Sequence, residues 1–195
     1  MQKPCRIEAP APATVESCLR EWDEDPKLSY SDRALTLLFR DLCPTNMRRE
    51  DVLLKVSAVN QLYKTNLFYL NKMVDHIIDI GIDDMLREGD RSIVGEIARL
   101  EIGDGKRKCF LSFATKYCSF HRPDSYAVYD SNACAALEHF IDVDGFTSRK
   151  PSEFRDYEVY HEVVEAFREA YGLEGFTLKE IDCYLWQAGR RLRSA

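Results

Sequence analysis

The run from Lys108 to Ser131 limits the fold more than any other part of the chain. Its first part, about 108–120, is apolar on nearly every face of a helix, so it has no side to give to water and must be enclosed by other elements. The run also carries Lys116, His121 and Asp130 among residues that normally pack inside.

The enclosing elements are legible as helices, from apolar positions at helical spacing. Val15, Cys18, Leu19 and Trp22 form a first stripe, with Thr14 as the expected cap. Ser31 or Asp32 is expected to cap a second helix with Leu35, Leu38, Phe39 and Leu42 inward. A third begins near Arg49 and reaches about Tyr63, with Val52, Val56, Val59 and Tyr63 as its stripe. Leu67, Leu70, Met73, Val74, Ile77 and Ile78 make a fourth, stopped by Gly81. A short helix over 83–88 follows, then one opened by Ser92. Beyond the central run come a helix over about 132–140 and a long amphipathic one carrying Tyr157, Tyr160, Val164, Phe167 and Tyr171. A last helix is opened by the capping box Thr177-Leu-Lys-Glu180. No alternating strand run and no internal repeat stands out. The prediction is an all-α fold of roughly eight to ten helices. Residues 1–12 read as a loose N-terminal arm and 13–195 as a single domain in two helical lobes.

Composition narrows the function. A net charge of −6 argues against strong non-specific nucleic-acid binding, which needs a basic footprint. Local basic clusters exist at Arg48-Arg49, at Lys106-Arg107-Lys108 and at Arg190-Arg191-Leu192-Arg193. The seven cysteines form no CxxC or Cys/His metal spacing, so no metal or other cofactor is expected. They read as reduced thiols of a cytoplasmic protein. No apolar run approaches the roughly 18 residues of a membrane span, so no membrane partner is expected.

The candidate chemistry lies in and near the central run. Lys116 sits inside the apolar helix, where desolvation would lower its pKa and favour a nucleophilic amine; a snorkelling or carboxylate-paired lysine is the alternative. Asp130 stands at a helix start, as an N-cap or as a carboxylate serving as base or cation stabiliser, and the two roles are compatible. His121 is a C-terminal capping histidine or an acid–base group. Tyr126 and Tyr129 stack on a base or pack between lobes. Asn60, Gln61, Lys64 and Thr65 either read a phosphate or base edge, or cap a helix end. Gly103 and Gly105, followed by Lys106 to Lys108, form a tight hairpin between helices, with backbone N–H groups free at the start of the next one. This matches the hairpin of a helix-hairpin-helix motif at about 92–120, which aims its N–H groups at a nucleic-acid phosphate.

A helical lobe, Gly103-Asp-Gly105 with its basic residues, an apolar helix and an aspartate at the next helix start together resemble the helix-hairpin-helix DNA glycosylase superfamily, the 8-oxoguanine DNA glycosylases in particular. The likeness spans about residues 50–140. Closer still is a likeness to a largely uncharacterised family of small bacterial proteins. It is carried by Val59 to Asn66, Ser112 to His121, Tyr129-Asp-Ser131 and Tyr184 to Gly189. The glycosylase resemblance implies base excision on nucleic acid, DNA foremost, or on a nucleotide, with Asp130 as the catalytic aspartate. It also implies a lyase lysine after the second hairpin glycine. Arg107 falls closest to that position, which is a departure; Lys108 and Lys116 are the candidates in its stead, and Lys116 has no family counterpart. Some glycosylase-like proteins of this size accompany antiviral gene clusters, which implies bacterial antiviral defence as a setting. The alternatives are a non-catalytic binding or regulatory protein on the same fold, and a nucleoside-directed hydrolase.

Overall fold

The computed structural model describes residues 8–194. The elements run α1 (Pro12–Glu24), α2 (Pro26–Leu37) with a π-helical turn at Leu38–Leu42, α3 (Arg49–Tyr63), α4 (Leu70–Ile80), α5 (Asp83–Glu88) and α6 (Ser92–Ala98). Then come strands β1 (Arg99–Gly103) and β2 (Lys106–Cys109), followed by α7 (Leu111–His121), α8 (Ser131–Asp144), a 3-10 turn at Pro151–Glu153, α9 (Tyr157–Ala170) and α10 (Leu178–Ser194). The fold is all-α apart from the one small hairpin among the described residues. It divides into two compact units, one continuous over 27–126 and one built from 8–26 and 127–194.

In the continuous unit, α7 is buried along almost its whole length, from Leu111 through Phe120, as its apolar surface requires. Val52, Val56 and Val59 of α3, Met73, Val74 and Ile77 of α4, and Ile93, Val94 and Ile97 of α6 are all fully buried in the same unit. The second helix begins earlier than its expected cap, because Pro26 supplies a first-turn φ already set for a helix. Asp32 instead accepts the Tyr63 hydroxyl.

The hairpin is a second difference from expectation. β1 and β2 pair antiparallel, Arg99 with Cys109, Leu100 with Lys108 and Glu101 with Arg107, with a bulge between Glu101 and Gly103. The apolar–polar alternation that would reveal strands is missing because every residue of β2 is exposed and the bulge breaks the period of β1. Gly103, Asp104 and Gly105 all take positive φ in the turn. Phe110 N–H then donates to Ala98 O at 2.8 Å and closes the ribbon, so α7 starts at Leu111 rather than Lys108. The helix-hairpin-helix expected at 92–120 is therefore helix, two-stranded ribbon and helix. The free amides of the first turn of α7 belong to residues from Leu111 on, not to the glycine turn.

In the other unit, α10 packs on α8, α9 and α1. Trp22 of α1 meets Trp186 of α10 edge to face at 5.4 Å, and Gln187 Nε2 donates to Cys18 O at 2.8 Å. Phe167 of α9 stacks against Tyr184 at 6.2 Å. The capping box forms as expected: Thr177 N–H donates to Glu180 Oε2 at 2.7 Å and Glu180 N–H to Thr177 Oγ1 at 3.1 Å. Of the expected loose arm, residues 1–7 lie outside the described residues. Its remainder is tied down, with Pro10 buried and Glu8 O accepting the Tyr184 hydroxyl at 3.3 Å. Cys18, Cys43, Cys118 and Cys183 are buried and not in disulfides, whereas Cys109 on β2 is exposed. No described helix is long and apolar enough to cross a membrane.

Helices α8 and α10 of this unit meet backbone to backbone at Gly189. A Cβ at Gly189 of α10 would stand 1.9 Å from Asn132 O of α8. Gly189→Ala must push the two helices apart, so a loss of about 3 kcal/mol is expected, in the upper range for overpacking. Urea unfolding of the variant against the wild type measures it.

Candidate functional site

The richest polar cluster in the continuous unit centres on Lys55, which falls three residues after Val52 and four before Val59, on the inward stripe of α3. Its side chain is fully buried. The ammonium donates to Cys43 O at 3.1 Å, Thr45 O at 2.9 Å and Asn46 Oδ1 at 2.6 Å. It lies 5.4 Å from the Phe39 ring and 5.7 Å from the Tyr117 ring, a cation–π arrangement. Burial pushes its pKa down to about 8, partly offset by the carboxylate of Asp83.

Asn46 joins this lysine to three further elements. Its side-chain oxygen also accepts the Tyr117 hydroxyl at 2.6 Å, and its Nδ2 donates to Asp83 Oδ1 at 2.6 Å. Its backbone N–H donates to both Asp83 oxygens, at 3.1 and 2.9 Å. His121 Nε2 lies 3.3 Å from Asn46 Nδ2 and 3.4 Å from Lys55 Nζ, so this nitrogen accepts and the ring is neutral. Burial, then the charges of Lys55 and Arg40, push the His121 pKa down to about 3. His121 is thus neither a helix-capping cation nor an acid–base group near neutrality; it is an acceptor for buried donors. The cluster ties α3, the 43–46 turn, α5 and α7 together.

The residues singled out from sequence divide between the two units. Asp130 and Tyr129 belong to the discontinuous unit; the others belong to the continuous one. Asp130 is the N-cap of α8, and its Oδ1 accepts Asn132 N–H at 2.9 Å. Arg193 of α10 donates beside it, to Ser131 Oγ at 2.9 Å and Asn132 Oδ1 at 3.2 Å. Tyr129 packs edge to face on Tyr160 at 5.2 Å. Tyr126 is fully buried, its hydroxyl donating to Asp90 O at 3.2 Å, so packing rather than base stacking is its part.

Lys116 does not snorkel. It is 2% exposed, donates to Ser112 Oγ at 2.9 Å and lies 5.7 Å from the Tyr63 ring. Asn60 is committed to a turn: its Oδ1 accepts Thr65 Oγ1 at 2.9 Å and Leu67 N–H at 2.9 Å, while Nδ2 donates to Leu67 O at 3.0 Å. Gln61 and Lys64 are exposed, Lys64 with left-handed φ at the end of α3. Gly103 and Gly105 shape the hairpin turn, and Lys106, Arg107 and Lys108 are exposed on β2. Among the described residues, no group of three or more His, Cys, Asp or Glu converges on a metal site.

The family HI_0787_N, described as an N-terminal domain, matches residues 14–125. The chain belongs to this family. The HI_0787_N region ends one residue before the end of the continuous unit at Tyr126 and contains every member of the Lys55 cluster. Asp130 lies beyond it. The chain is also similar to an uncharacterized protein of Haemophilus influenzae, 38% identical over 144 residues, covering 73% of this chain and 68% of that protein. No solved structure matches the chain.

Lys55 gives a pH-dependent contribution to stability. In the unfolded chain its amine keeps the proton up to about 10.5, and in the fold releases it near 8. Between these values the unfolded state binds the extra proton, so this group makes stability rise with pH from 8 to 10.5. Below 8 the folded state carries the full cost of the buried charge. Lys55→Met removes that rise. It also strands the Cys43, Thr45 and Asn46 oxygens, so a net loss of about 2–4 kcal/mol is expected at pH 7. Urea titrations of both proteins across this pH range read the two effects separately.

Proposed function

We propose that this chain recognises a base in nucleic acid in the manner of a glycosylase, with Asp130 as the functional carboxylate and DNA carrying a modified base, 8-oxoguanine among the candidates, as the substrate class. The observation that carries the reading is the setting of Asp130. It follows a helix, a glycine-turned ribbon and a helix, and it is held at the start of α8 by its bond to Asn132 N–H at 2.9 Å. A carboxylate fixed in this way stabilises the oxocarbenium-like sugar as the C1′–N bond breaks, or activates the water that replaces the base. The flipped base itself would be read by contacts made outside the helical stack. Bacterial antiviral defence, inside the cell, is the setting the resemblance suggests.

A second reading, a non-catalytic binding protein on the same fold, is favoured by the lysines. Arg107 stands nearest the lyase position on an exposed strand, and the Lys116 ammonium donates to Ser112 inside the continuous unit. Attack on C1′ by an amine is therefore left out of the proposal.

Asp130→Asn separates the readings, because asparagine caps a helix about as well as aspartate while removing the charge. Base release from labelled duplexes carrying 8-oxoguanine or uracil should fall about 100-fold or more in this variant with no change in melting temperature. Asp130→Ala should lose the cap as well, at about 1 kcal/mol. Equal release by wild type and Asp130→Asn, or no release by either, rejects the catalytic reading in favour of the binding one.

A further inference from the structure

We propose that Phe68 and the Lys106–Lys108 strand form a docking surface for single-stranded nucleic acid, with an unpaired base stacked on the Phe68 ring and the phosphates against the strand. This rests on the nucleic-acid part of the reading above but not on catalysis.

Phe68 is 79% exposed although it sits in a tightly held turn. Lys64 and Asn66 take left-handed φ there, and the Asn60 carboxamide makes three hydrogen bonds to the Thr65–Leu67 segment. The next residue, Tyr69, turns inward onto the buried Phe110 ring at 6.4 Å. The ring of Phe68 is therefore presented to solvent by a turn whose conformation is set from within.

A cation stands against it. Lys108 Nζ lies 6.0 Å from the Phe68 ring and 5.2 Å from the Phe110 ring. Side chains alternate along a strand, so Lys106 shares the face of Lys108, while Arg107 lies on the other face across from Glu101. Lys72 of α4 adds a charge at the same ribbon, its ammonium on Ile102 O at 2.6 Å. The acidic side chain of β1 is thus on the face away from Phe68.

The three basic clusters of the sequence differ in how their charge is used. Arg48 and Arg49 face Asp51 and Asp75, Arg191 pairs with Glu21 at 2.8 Å, and Arg190 covers the Trp186 ring. Lys106, Arg107 and Lys108 form no ion pair among the described residues. In a chain of net charge −6, an unpaired basic strand beside an exposed aromatic ring is complementary to a polyanion with π faces. Duplex DNA offers phosphates but no open base face, so the ring selects for single strands.

Fluorescence anisotropy with a fluorescein-labelled single-stranded oligonucleotide and its matching duplex tests this. Phe68→Ala should weaken single-strand binding about tenfold, and Phe68→Trp should restore it. Lys106→Ala and Lys108→Ala should each lower the steepness of the log affinity against log salt plot by about 0.7. All three positions are exposed, so melting curves should match the wild type. Wild-type-like binding by Phe68→Ala, or a wild type that binds duplex and single strand alike, overturns the surface. Base release measured on the wild type judges the glycosylase reading on its own: release by a wild type that binds no single strand removes the surface and keeps the activity, and single-strand binding without release does the reverse.

Discussion

A buried ammonium must be solvated by whatever the protein places around it, and Lys55 is surrounded by neutral oxygens and aromatic faces rather than by a carboxylate in contact. Each bond it makes fixes a piece of irregular backbone. Cys43 O and Thr45 O bind the turn after the π-helical segment, and Asn46 is oriented so that its remaining groups reach Asp83, Tyr117 and His121. Through Asn46 the desolvated charge is joined to Asp83 at the start of α5 and to Tyr117 of α7. The cost of stranding any of these donors or acceptors is what keeps the arrangement unique.

With α7 fixed from one side by this network, its other neighbours are α3, α6 and the π-helical turn, whose Phe39 meets Tyr117 and Phe120, and the exposed polar elements lie at the margins of the unit. The ribbon after α6 and the turn after α3 are such margins. Both are rigid for local reasons, the ribbon by strand pairing and the turn by the Asn60 carboxamide. Rigid, exposed and oppositely equipped elements, one cationic and one aromatic, are what a surface needs to bind without first paying to order itself.

Helical periodicity made most of this legible. The bounds of α3 and α5, the Gly81 stop, the Asp130 cap and the Thr177 capping box all follow from local rules that tertiary packing did not override. The ribbon was hidden because β2 buries none of its side chains, so no alternation exists to be seen. The Lys55 cluster had a signal that was not used, a lysine on the apolar stripe between Val52 and Val59. Its partners, Asn46, Asp83, Tyr117 and His121, come from separate segments, and no spacing rule joins them. His121 and Asn60 illustrate the same limit: residue type suggested recognition, whereas each side chain is already occupied by neighbours distant in sequence or by its own turn.

The discontinuous unit has a consequence for the order in which the protein forms during synthesis. The continuous unit can close once Tyr126 has emerged, since all of its residues are then present. Helix α1 is translated before it, yet the groups that cover its inner face, Trp186 and Gln187, come at the far end of the chain, with Gln187 and Cys18 separated by 169 residues. Val15, Cys18 and Trp22 are therefore left without this cover until the residues of α10 have been made. Joining α10 to α1 is a closure of high contact order, the kind of contact that forms slowly in folding.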